Sequence, residues 1–285
     1  MFETASVLAN AFAQHLVDGY RLVYGRRDPD YGATLRAMAH LAVERISSSD
    51  ALYHDVNHTI MVTMVGQTIL RGKIMVEEVT PEDWVHFTVA TLCHDLGYLR
   101  GICPGDGDGR YVVDADGGMI DAPRGASDAF LAPHHIERSK IFVRNRCRLI
   151  PYLDPERIAR AIELTRFPIP MGADYAETAS EPALVRAADL IGQLGDPNHA
   201  RKFNALYYEF VETGIAAQLG YHSPADLAEQ YPKFFWNQVE PYLATALEHL
   251  ERTVAGKTWI AQLYAHVFVE EHKLPRPGPE RAPGA

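Results

Sequence analysis

The sequence predicts an all-α fold, a single helical bundle interrupted by one long Gly/Asp-rich loop. Three observations predict it. Apolar residues recur at helical spacing through most of the chain, three segments open on explicit helix caps, and one stretch alone, Arg100 to Pro133, loses the helical period.

The segments Leu35 to Ile46, Thr59 to Leu70, Trp84 to Leu96, Glu181 to Leu194 and Val239 to Leu250 each gather their apolar residues for one buried face. Thr80-Pro81-Glu82-Asp83 sets a capping Thr before a Pro at the first helical position and an acid at the third; Ser223-Pro224-Ala225-Asp226 repeats the arrangement, and Asp154-Pro155 reads as another start. The exceptional segment, 100–133, holds Pro104, Gly105, Gly107, Gly109, Gly117, Gly118, Pro123 and Gly125 among several Asp. A loop of this length inside a compact domain is usually functional or disordered. Within it RYVVDADGGMI reads as a small hairpin, and its Asp-x-Asp-Gly stretches lack the further acidic ligands of a calcium loop. The helical domain is expected to run over 1–273, with 274–285 as a disordered tail because LPRPGPERAPGA has no apolar period.

The 285 residues carry 27 Lys+Arg against 37 Asp+Glu, a net charge of −10, which excludes nucleic-acid binding through a basic face. The 3 cysteines show no C-x-x-C spacing, and no apolar run approaches the ~18 residues of a membrane span. A cytoplasmic protein with no membrane segment is the expectation. Nothing in the composition opposes a homodimer.

Histidine placement is uneven. His54 and His58 share YHDVNH, and a helix through both would bring their imidazoles within about 40° on one face. His94-Asp95 follows the apolar run FTVATLC just before Gly97, a helix terminator, so both side chains can converge between helices. A carboxylate buried there without a cation or donors would cost several kcal/mol. Imidazole and carboxylate together suit Zn, Mn and Fe, whereas oxygen sets suit Mg or Ca. His134 and His135 are adjacent and point apart; His15, His40, His86, His199, His222, His249, His266 and His272 read as surface or satisfied core residues.

The order His58, His94-Asp95, Asp189 resembles the H…HD…D signature of the HD-domain metal-dependent phosphohydrolases, an all-helical superfamily. YHDVNH is similar to the Y-H-N-x-x-H opening of the cyclic nucleotide phosphodiesterase catalytic domain, and AADL around Asp189 is similar to its A-D-L. The resemblance covers about Tyr53 to Leu243. It implies His58, His94, Asp95 and Asp189 as ligands of one or two divalent ions (Mn, Mg, Zn or Fe), Asp95 as the bridging and catalytic carboxylate, and His54 as general acid. His135, or alternatively His134, would complete a second ion position, as in the HD-GYP branch. The sequence departs from the phosphodiesterase pattern after H-D, where HDLGYLRG leads into the long loop in place of a further acid and histidine.

EFVETG at Glu209 to Gly214 is similar to that family's E-F-x-x-x-G. Registering FFWNQVEPYL on Pro241 places Phe234 at the base-stacking position and Tyr231 at the base-reading Gln position, with Gln230 beside it. Tyr231, Phe234, Phe235 and Trp236 read equally well as core aromatics. Arg166 is a candidate phosphate contact, because Phe167-Pro168 stops its helix and can turn it inward. The implied activity is hydrolysis of a small-molecule phosphoester, a nucleotide or cyclic nucleotide. The alternatives are an HD-type di-iron oxygenase and a non-catalytic, metal-stapled nucleotide-binding module.

Overall fold

Helix starts form where the sequence writes them. The computed structural model describes residues 4–26 and 31–273, so the expected tail at 274–285 lies outside the described residues. The helices are α1 (Thr4–Tyr24), α2 (Tyr31–Ile46), α3 (Val56–Lys73), α4 (Pro81–Cys93), α5 (His135–Cys147), α6 (Pro155–Glu163), a single turn α7 (Ala173–Ala176), α8 (Glu181–Leu194), α9 (His199–Glu212), α10 (Ile215–Leu219), α11 (Pro224–Phe234), α12 (Ala244–Leu250) and α13 (Val254–Glu271). Thr80 and Ser223 close full capping boxes with Asp83 and Asp226, and Asp154 accepts from the backbone N–H of Glu156 and Arg157. Each satisfies backbone donors that a helix start otherwise leaves unpaired.

The all-α expectation holds: the sole sheet among the described residues is the antiparallel hairpin β1 (Arg110–Val112) and β2 (Met119–Asp121), with Tyr111 opposite Ile120. It is the hairpin read from RYVVDADGGMI. One continuous apolar core joins α1 to α6, α8 and the C-terminal helices, with Trp84, Phe87, Leu92, Leu96, Ile191 and Phe235 fully buried.

Three expectations need correction. The chain is not helical from His54 to His58: Asp55 is the N-cap of α3, its carboxylate accepting from His58 N–H at 2.8 Å, so His54 sits in the connection before the helix. The Val239 to Leu250 segment is not one helix, because Pro241 has no N–H to continue the ladder; a 3-10 turn spans Glu240–Tyr242 and α12 begins at Ala244. Finally, α4 ends at Cys93, and Gly97 does not stop it through a left-handed backbone. It lies in a 3-10 turn, Leu96–Tyr98, and is glycine for lack of room: a Cβ there would lie 1.8 Å from the carbonyl oxygen of His135.

Two close backbone approaches bring the histidine- and aspartate-bearing segments into register. Gly97 lets the turn after His94-Asp95 rest on the start of α5. Gly192, one turn beyond Asp189, lets α8 press on α3, since a Cβ would stand 2.7 Å from Val62 N and Cα. The segments bearing His58, Asp189, His94-Asp95 and His135 are thereby drawn together.

Candidate metal centre

His58 projects from the first turn of α3, His94 and Asp95 follow the last turn of α4, and Asp189 comes from mid-α8. His58 Nε2 lies 3.3 Å from His94 Nε2, 3.1 Å from Asp95 Oδ2 and 3.3 Å from Asp189 Oδ1. His94 Nε2 lies 3.2 Å from Asp95 Oδ2 and 3.4 Å from Asp189 Oδ1. Two donors about 2.1 Å from one ion and roughly 90–110° apart would be separated by about 3.0–3.4 Å. The donor atoms thus have the mutual spacing of ligands around a single centre.

Their chemistry fits a cation too. The Nδ1 of His94 is 2.9 Å from the Thr91 carbonyl oxygen, which can only accept, so in the neutral ring the proton is on Nδ1 and the Nε2 lone pair faces the cluster. His58 is 3% exposed, His94 1% and Asp95 7%. Asp95 Oδ2 takes no well-aligned hydrogen bond from any described residue although both imidazoles approach it, so a fully buried carboxylate oxygen is left orphaned. Burial alone would lower the His58 pKa, yet the Asp189 and Asp95 carboxylates outweigh it and raise it from 6.5 to about 9; His94 is raised for the same reason, led by Asp95. Burial alone would raise Asp189, and the two histidines instead pull it down to about 2. Without metal, then, the cluster holds protons between its carboxylates, and a divalent cation can take their place. The buried His58, His94 and Asp95 group could hold a metal ion.

His135 stands beside the cluster, its Nε2 3.9 Å from Asp95 Oδ1, the carboxylate oxygen opposite the one facing His58 and His94. Its Nδ1 donates to the Ala132 carbonyl at 2.5 Å. Burial lowers its pKa to about 4 against the pull of Asp95, so it stays neutral with Nε2 available. His134 has its pKa lowered chiefly by burial and makes no contact with the cluster's donor atoms.

His54 reaches the cluster edge from outside α3, with its ring centroid 5.7 Å from that of His58. Glu209 of α9, 4% exposed, accepts from His54 Nδ1 at 2.7 Å through Oε2 and from the backbone N–H of Tyr53 at 2.5 Å and His54 at 3.3 Å through Oε1. The sequence marks Glu209 only through the EFVETG similarity and gives it no role. Tyr98 carries no signal in the sequence beyond its place after His94-Asp95. Its ring stacks on His54 at 4.2 Å and 16° and on His135 at 4.5 Å and 29°.

The candidate substrate residues pair with other side chains or stand exposed. Arg166 pairs with Glu163 at 2.7 Å and with Glu137 at 2.6 Å, so its guanidinium is engaged within a network that also holds Lys140 and Tyr175. Phe234 packs edge-on to Phe167 at 5.7 Å, and Gln230 is exposed on α11. Tyr231 and Phe235 are buried core residues, while Trp236 is 44% exposed. Arg138 of α5 is 0% exposed and donates to the carbonyl oxygens of Gly97 and Leu99, each at 2.7 Å, to that of Val112, and to Asp106 Oδ2 at 2.8 Å.

Fold and site define an all-α protein with a buried His/Asp cluster that could hold a metal ion. The chain belongs to the Npun_R2479-like family, whose model matches residues 2–273. No curated protein matches it. No helix among the described residues is long and apolar enough to cross a membrane.

Proposed function

We propose that this chain is a metal-dependent phosphohydrolase of HD-domain type that cleaves a phosphoester, a nucleotide or cyclic nucleotide, with His58, His94, Asp95 and Asp189 holding the ion. The observation that carries the proposal is the juxtaposition of that cluster with the His54–Glu209 dyad, a candidate cation site with an anchored imidazole beside it. The H…HD…D order in the sequence supports the same reading.

A divalent ion held there, Mn, Mg, Zn or Fe, supplies Lewis acidity toward a water nucleophile and the phosphoryl oxygens. The protein supplies the rest. Asp95 and Asp189 would bring the negative charge that retains the ion, and Asp95 turns its second oxygen toward His135, whose Nε2 lies 3.9 Å away. Glu209 accepts from His54 Nδ1 and orients the ring, so that Nε2 would be the atom to hand a proton to a departing alkoxide oxygen. An oriented proton donor serves ester cleavage directly, which favours hydrolysis over the oxygenase and the purely binding alternatives.

Elemental analysis of the purified protein, followed by assay of cyclic and linear nucleotides and a chromogenic phosphodiester with each metal, tests the proposal. Asp95→Ala should lose bound metal and turnover together. Full turnover in that variant, or oxygen consumption by the iron-loaded protein with no phosphoester cleaved, would overturn it.

A further inference from the structure

The segments that carry His54 and His135 are unrelated: one is the connection before α3, the other the first residue of α5, 81 positions later by their numbers. Each imidazole is fixed in the same way. Nδ1 is anchored to an acceptor, Glu209 for His54 and the Ala132 carbonyl for His135, and one ring face is covered by Tyr98. One hydrogen bond leaves a ring free to rotate about the axis through it; a stacked neighbour removes that freedom. The hydroxyl of Tyr98 comes 3.3 Å from His54 Nε2, but the rings are nearly parallel, so it lies over the imidazole and not along its in-plane lone pair. The contact is part of the stack.

Tyr98 is itself held. It is 5% exposed, its N–H bonds the Asp95 carbonyl at 3.1 Å, and its neighbours Gly97 and Leu99 are tied to Arg138. Gly97 also donates to Ser139 Oγ at 2.8 Å, and Ser139 Oγ–H donates to the His94 carbonyl at 2.6 Å. The ring between the two histidines is therefore joined through its own backbone to the turn that carries His94 and Asp95.

We infer that Tyr98 is a positioning residue: its ring, clamped between His54 and His135, holds both imidazoles in place beside the cluster. Its role toward His135 rests on the cluster alone, and its role toward His54 rests on the phosphohydrolase reading. The ring, not the hydroxyl, carries the function.

Metal binding and kinetics of Tyr98→Phe, Tyr98→Leu, His135→Ala and His54→Ala, each checked for a native circular dichroism spectrum and melting transition, test the inference. In calorimetric titration of metal-free protein with Mn²⁺, Tyr98→Leu should lose affinity by the same factor as His135→Ala, about 10–100-fold, while Tyr98→Phe matches the unsubstituted protein. In turnover, Tyr98→Leu should share the selective defect of His54→Ala toward esters with poor leaving groups, and Tyr98→Phe should restore it. Unchanged Mn²⁺ affinity in Tyr98→Leu or His135→Ala would overturn the inference, as would a Tyr98→Phe defect as large as that of Tyr98→Leu. If the unsubstituted protein cleaves no phosphoester, the phosphohydrolase reading fails, and the Mn²⁺ titration still decides the place of Tyr98.

Discussion

Glu209 turns both carboxylate oxygens toward the segment that carries His54, one to its ring and one to its backbone. Burial works against that charge, and His54 is the first of the groups that nonetheless keep the Glu209 pKa below its ordinary value. Replacing Glu209 with Gln should therefore leave metal content unchanged while slowing cleavage of alkyl phosphoesters by about 10²-fold or more, with a smaller loss for a 4-nitrophenyl ester, whose leaving group needs no proton. Equal losses for both esters would remove Glu209 from the proton-donating apparatus. A second buried imidazole makes a pH prediction. His199, expected from sequence as a surface or satisfied residue, is 5% exposed, packs against Tyr231 at 4.7 Å and stacks on His266 at 5.3 Å, and its Nε2 finds no partner among the described residues. Burial first, and His266 second, push its pKa from 6.5 down to about 4. The unfolded chain takes up this proton near pH 6.5 and the folded chain only near pH 4, so stability is full above 6.5 and falls as pH drops through that interval. The slope from this group reaches at most about 1.4 kcal/mol per pH unit. Urea denaturation across pH 4–7 should show a flatter acid limb in His199→Phe; an unchanged limb would place the acid sensitivity elsewhere.

The long loop matters at the scale of elements. Its glycines and aspartates suggest a mobile lid, but the structure ties it down at several points. Arg138 of α5 and Asp106 of the loop form an ion pair in which both side chains are 0% exposed, and Asp106 also accepts from Val112 N–H at 2.9 Å and Cys103 N–H at 3.2 Å. Arg100 bridges Asp50 and Asp128, and Ser127 donates to Glu212 at 2.7 Å through its N–H and 2.6 Å through its hydroxyl. Of the aspartates that hint at calcium, Asp106 is engaged by backbone N–H groups and the Arg138 guanidinium, and Asp114 by the backbone N–H of Asp116 and Gly118. Arg138→Met should cost roughly 3–5 kcal/mol in chemical denaturation, because it strands a buried carboxylate. A loss under about 1 kcal/mol would mean that the loop is not held by this pair. Its end delivers His135 to the cluster, so the same variant should also weaken metal binding.

At the scale of the molecule, metal binding at the cluster would be coupled to folding, since α3, α4, α5 and α8 must be packed before their side chains converge. Addition of a binding metal at 100 times its dissociation constant should raise stability by about 2.7 kcal/mol, read as a higher melting temperature that chelation reverses. No shift with Mn, Zn, Fe or Mg would mean that the cluster takes none of these ions. The net charge of −10 does not conflict with a phosphate substrate, because a divalent ion in the cleft reverses the local field.

Much of this is legible in the chain itself. Periodicity and caps determine the helices because their hydrogen bonds close within a few residues: α8 runs over the very span its apolar spacing marks, Glu181–Leu194, and the Thr80, Asp154 and Ser223 caps all form. The resemblance of the H…HD…D order likewise singles out His58, His94, Asp95 and Asp189, and the structure brings their donor atoms together. Only the tertiary structure decides that Glu209 reaches His54 from a helix 155 positions away, that Tyr98 lies between His54 and His135, and that Arg138 ties the loop to α5. Those pairings join residues remote in sequence across packed faces, and no local period or cap records which side chain will lie opposite another.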